Sequence, residues 1–178
     1  VLFSWGSFFD QEMRSLSLAS NCIFTSGYLL HFDVEESDVA LKPSMIKLRA
    51  QGINKSICFF DSSAHRYIHF APSMMSDFYI QLYHFASDNP SVGVLIKPKH
   101  LAGLRQDQAT AQFVQKLREL ENCVFLDHRL NPTVVAGLAD ISIGVGINSA
   151  IISIVISGGA GILINSASEN RNPLFHKG

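Results

Sequence analysis

Between Asp140 and Glu169 the chain carries no charged residue, a run that must either cross a membrane or fold into a core. Its interruptions decide which. Five glycines (Gly144, Gly146, Gly158, Gly159 and Gly161), Asn148, Asn165 and several serines cut it into short pieces. A span needs about 20 consecutive, mostly apolar residues, and none of the pieces is that long. Each has the length of a secondary-structure element instead. Ile141–Val145 reads as a strand, and Asn148-Ser149 stands where a helix is capped. Ser149–Ser157 repeats Ile151, Ile152, Val155 and Ile156 at helical spacing. Gly158-Gly159 ends that helix, because glycine accepts the left-handed conformation of a C-terminal cap. Gly161–Ile164 is a second apolar strand, of the kind buried in parallel sheets. A strand–helix–strand unit of this form opens a helix N-terminus above the carboxyl edge of the sheet, where unpaired N–H groups and the helix dipole attract phosphate. The glycines do not spell GxGxxG, so a dinucleotide is not indicated.

The same alternation runs through the preceding hundred or so residues. Ser56–Asp61 is a continuous apolar strand with a polar turn, Asp61-Ser62-Ser63, at its carboxyl end. Pro72–Ser87 predicts a helix of core-like apolar density, and Asp88-Asn89-Pro90 a turn. Val92–Ile96 is the next strand and delivers Lys97-Pro98-Lys99-His100 at its end. Ala109–Leu120 is an amphipathic helix, Cys123–Leu126 a strand and Pro132–Leu138 a short helix. This order predicts an α/β fold, a Rossmann-like doubly wound parallel sheet of five strands over residues 55–167, with ligands above the carboxyl ends of the strands. Upstream, Val1–Gly6 and Asn21–Leu29 read as strands and Asp10–Leu18 as a short helix, too little to bury alone. Residues 1–33 are therefore expected to be the tail of an upstream N-terminal lobe. Residues 34–54 are expected to be an acidic linker and a short helix over Pro43–Gln51 that stops at Gly52.

Charge and cysteine usage narrow the function. Fourteen Lys and Arg against fifteen Asp and Glu leave a formal net charge of -1, which lacks the basic footprint of a nucleic-acid binder. Cys22, Cys58 and Cys123 are far apart in or beside apolar runs, as buried reduced thiols are. No basic segment precedes an apolar one at the start, so a cytoplasmic location is expected. The chain opens on Val1 and stops at Gly178 after a loop-like stretch, as a piece of a longer protein would. His65 and His69 stand four apart but enclose Arg66, Tyr67 and Ile68 with no acidic ligand, so no metal site is expected, although His65 lies close enough to the Asp61-Ser62-Ser63 turn to touch a substrate.

Several stretches resemble a known family. Trp5-Gly6, Ser26-Gly27-Tyr28, FFDSS (59–63), IKPKH (96–100), LADISIGVGINSA (138–150) and ENRNPLF (169–175) are similar to the C-terminal half of GT-B glycosyltransferases, above all bacterial capsule and surface-carbohydrate biosynthesis proteins. The resemblance implies a two-lobed enzyme whose C-terminal lobe, residues 55–178 here and incomplete at its end, binds a nucleotide-sugar. The acceptor-binding lobe and the catalytic base would lie upstream, so the fragment would bind donor without turning over and its catalytic residues are unknown. It implies a nucleotide-sugar as substrate with no cofactor, a glycan or lipid-linked acceptor as partner, and peripheral association with the inner face of the membrane through other parts of the protein. Family members often place a histidine directly after the lysine-proline pair, whereas Lys99 here precedes His100.

Loss of a nucleotide from a sugar leaves charge on phosphate that must be stabilised. The candidate cradle is the helix start at Gly146, Ile147, Asn148 and Ser149, with the Ser149 hydroxyl as a further donor. Lys97 or Lys99 is the candidate cation, joined by His100, and Ser62 and Ser63 reach from another strand end. The resemblance also points Asp127 and His128 toward the nucleoside, and Glu169 toward the ribose, whose vicinal hydroxyls a carboxylate accepts together. Two other classes share these features: a related GT-B enzyme, either a UDP-sugar 2-epimerase or a polyol-phosphate transferase, and a non-catalytic α/β binding module.

Overall fold

Alternate residues along each central strand bury against different helices, and that alternation builds the domain. A computed structural model describes residues 2–4, 14, 23–25, 38–62, 72–101, 103–105, 107–136, 138–145, 148–156 and 158–164. Its contacts divide the chain into two units, Val1–Asp33 and Val34–Gly178. In the first, β1 (Leu2–Ser4) and β2 (Ile23–Thr25) pair in parallel, Leu2 opposite Ile23. Arg14 is helical and exposed; the rest of the helix expected over Asp10–Leu18, and Cys22, fall outside the described residues.

The second unit runs α1 (Asp38–Ala50), β3 (Lys55–Phe60), α2 (Pro72–Asp88), β4 (Val92–Lys97), a 3-10 turn (Gly103–Arg105), α3 (Gln108–Glu119), β5 (Cys123–Phe125), α4 (Pro132–Ala136), β6 (Ile141–Val145), α5 (Ser149–Ile156) and β7 (Gly161–Ile164). The five strands form one parallel sheet in the order β5-β4-β3-β6-β7. The expected Rossmann-like α/β architecture is therefore the one observed. On one face Cys58, Phe60 and Leu95 pack against Leu48 of α1, Val134 and Val135 of α4, and Ile151 and Ile154 of α5. On the other, Phe59, Val94 and Ile96 pack against α2 and α3 through Met75, Tyr79, Leu82, Val114 and Leu117. Cys58 and Cys123 are free and buried, and burial pushes both thiols up, Cys123 to about 12.

The stops follow local chemistry. Gly52, at φ +76°, closes α1 with Gly52 N–H donating to Arg49 O and Ile53 N–H to Leu48 O. Gly158, at φ +87°, closes α5 in the same way through Val155 O and Ile154 O, the paired bonds of a Schellman cap. Asp107 caps α3, accepting from Thr110 N–H at 2.8 Å. One boundary differs from expectation: α1 begins at Asp38 and carries Pro43 inside it, where the sequence reads as linker up to Pro43. The helix belongs to the sheet unit, because Leu48 is wholly buried in its core. Among the described residues no helix is long and apolar enough to cross a membrane.

Candidate functional site

The chain order of the sheet reverses beside β3. Successive strands run outward from β3 through β4 to β5, and the chain then returns to lay β6 on the other flank of β3. Phe60 thus pairs with Lys97 on one side and Gly144 on the other. Doubly wound sheets hold ligands above the carboxyl ends at this reversal, where loops diverge to opposite faces and leave a crevice. The residues that follow β3, β4, β5 and β6 share that edge.

Asp61, one step past β3, is only 4% exposed and ties the edge together. Its Oδ2 accepts from the Tyr79 hydroxyl at 2.9 Å, and its Oδ1 accepts from the Lys99 backbone N–H. Its carbonyl accepts from Asn148 Nδ2 at 3.3 Å. Burial pushes its carboxyl up to about 6, against the opposing pull of the Lys99 and Tyr79 hydrogen bonds and the charges of Lys97 and His100. Tyr79 is itself raised, first by burial and then by Asp61.

Asn148 caps α5. Its Oδ1 accepts from Ala150 N–H at 3.0 Å while its carbonyl accepts the first helical bond, from Ile152 N–H at 3.3 Å. Ser149 is the first helical residue and is exposed. The helix sits close to its strand because Gly144 has no side chain: a Cβ there would meet Ile151 Cγ1 at 2.5 Å and Asn148 Cβ at 2.9 Å.

The two lysines of the β4 end differ. Lys97 is 7% exposed, and its Nζ donates to the His128 carbonyl at 3.0 Å, so it fastens the β4 end to the β5 loop. Burial lowers its pKa, with Cys58, Asp61 and Asp127 pulling the other way. It is therefore no solvated strand-end lysine. Lys99 and His100, a step further on, are exposed. Ser62 is half-buried beside Asp61. Asp127 is engaged locally, accepting from Arg129 N–H at 2.9 Å and from the Arg129 guanidinium at 2.7 Å, which holds its carboxyl well below the usual range. His128 Nδ1 lies 3.3 Å from the same carboxylate. Of the other candidates, Ser63, His65, Gly146, Ile147 and Glu169 lie outside the described residues.

Asp61 is the residue that reading the sequence missed. The signal was a lone carboxylate ending the apolar run Ser56–Phe60, a costly place for a charge without partners. The opposite edge offers a cleft of about 380 Å³ lined by Met45, Arg49, Asn54, Ser56, Leu138 and Asp140. Its carboxylate is already taken, Asp140 accepting from Ser56 N–H at 2.8 Å and from Lys55 Nζ at 3.4 Å. The reversal edge instead offers a helix N-terminus, an exposed ammonium and an imidazole, a set suited to an anion. Among the described residues no group of three His, Cys, Asp or Glu gathers to hold a metal ion.

A family model described as "Polysaccharide biosynthesis PFTS motif protein" matches residues 3–158, both units included. No curated protein matches the chain.

Proposed function

The chain belongs to the polysaccharide biosynthesis PFTS motif proteins and so has a role in polysaccharide synthesis; from that premise we propose that its sheet unit is the donor-binding lobe of a glycosyltransferase, which moves a sugar from a nucleotide-activated donor to a growing surface polysaccharide or glycan. The observation that carries the reading is the meeting, at the reversal of the sheet, of the Asn148-capped start of α5 with the Lys97–His100 loop. Both are bound to the same residue, Asp61, so a diphosphate set between them would meet the positive end of the α5 dipole on one side and Lys99 on the other. Departure of the nucleotide puts charge on its phosphate oxygens, and donors already fixed in place stabilise it without reorganising. Lys97 serves from below, holding the β5 loop. No residue of this edge is assigned to activating the acceptor.

Calorimetry of the chain with UDP, GDP, CMP and CDP tests the reading. Heat is expected with one base above the others, weakening as salt screens the phosphate contacts. A folded sample that takes up none of the four overturns it.

A further inference from the structure

Asp61 has no part in the chemistry just described, yet it is the most constrained polar group at that edge. We propose that Asp61 is the positioning residue of the donor site, its carboxylate fixing the Lys97–His100 loop and its carbonyl fixing the Asn148 cap, so that one residue sets the spacing between the two sides of the cradle. This rests on the donor-binding reading for its ligand, but not for its geometry.

The geometry is specific. The Lys99 N–H bonds the carboxylate directly, which orients the loop whose Lys99 and His100 side chains reach solvent. Asn148 divides its two polar atoms between Asp61 and Ala150, so the cap and the β3 end move together. Tyr79 on α2 supplies the third tie and holds the carboxylate from the face away from α5. A buried carboxylate costs free energy unless its oxygens are bonded, and both oxygens of Asp61 have a partner. Here the titratable and charged groups that face Asp61 are Tyr79 from α2 and Lys97 and His100 from the β4 end, with Cys58 of β3 beside Lys97. Among the described residues β6 and α5 bring only the neutral Asn148 to it. Its ionisation near pH 6 places the strength of the Lys99 bond within reach of ordinary pH: a carboxylate accepts more strongly than a carboxylic acid. The loop is thus held most firmly above that pH.

Three variants, D61A, D61N and Y79F, tested with the nucleotide that binds best among UDP, GDP, CMP and CDP, examine the proposal. In the free protein the Lys99 amide resonance of the wild type should follow a titration centred near pH 6. It should lose that titration in D61N. D61A should weaken nucleotide binding about tenfold, the loss of one or two hydrogen bonds to a charged group. D61N, which still offers an acceptor to Lys99 and a donor to Tyr79, should recover most of that loss and flatten the pH dependence of affinity between pH 5 and about 7. If D61A does not fold, Y79F replaces it: freeing one carboxylate oxygen should raise the midpoint of the Lys99 titration. A Lys99 amide that ignores Asp61, or D61A binding as tightly as wild type, overturns the proposal. A wild type that binds no nucleotide while its Lys99 amide still titrates through Asp61 overturns the donor-binding reading and leaves the tie standing.

Discussion

Asp61 sets a sign on the acid behaviour of the fold that most carboxylates would not. Its folded carboxyl is raised to about 6, above the ordinary value near 4 of an unfolded chain. Such a group contributes stability that is complete below about pH 4 and lost as pH rises through about 6. At one unit per 1.4 kcal/mol the loss is roughly 3 kcal/mol. Asp107, Asp127 and Asp140 are lowered by their hydrogen bonds and act in the opposite sense, gaining as pH rises through the acid range. D61N isolates the one contribution: urea midpoints taken from pH 4 to about 8 should show the variant gaining on the wild type from about pH 4 to about 6 and keeping that gain at higher pH. Parallel profiles for the two proteins would mean the carboxyl is not raised. None of this was legible in sequence. Asp61 finds Tyr79 eighteen positions away, Lys99 thirty-eight and Asn148 eighty-seven, and a string of residues reads as a turn until those partners are known. The burial of Lys97 was hidden for the same reason, since only the fold supplies the His128 carbonyl that its ammonium bonds.

At the scale of elements, the uncharged stretch was readable because its signals are local. Glycine at a left-handed position and asparagine before an apolar helix each act within a few residues, and β6, α5 and β7 begin where the pattern says. α1 was read short because Pro43 argues against a helix interior. Its exposed position and the buried Leu48 show packing outweighing that local cost. The close approach of α5 to β6 gives a direct test. In G144A the new Cβ would press on Ile151 Cγ1 and Asn148 Cβ, both held in place, Ile151 by the core and Asn148 by its cap bonds. A loss of about 1–3 kcal/mol is expected for such overpacking, with nucleotide affinity falling alongside it as the helix start shifts. Denaturant melts that match the wild type would show that Ile151 yields freely and that the glycine is not required.

At the scale of the molecule, the alternation of strands and helices announced a doubly wound sheet, but not which strands would be neighbours. The site depends on that order. β6 returns to the flank of β3, Gly144 opposite Phe60, and this pairing alone brings Asn148 to Asp61. Had β6 been added beyond β5, the same residues would have been scattered along the edge. The family match runs from residue 3 to residue 158, across the division at Asp33 and Val34, so membership is a property of both units. The donor-binding reading, in contrast, rests on the edge of one sheet. Its most direct test is a map of backbone amide shifts on adding UDP, GDP, CMP and CDP in turn. One of them should move Asp61, Lys99, His100 and Asn148 through Ala150, while Ser56, Asn122 and Asp140 at the opposite edge stay still. Shifts centred on that opposite edge, or none with any of the four, would contradict it.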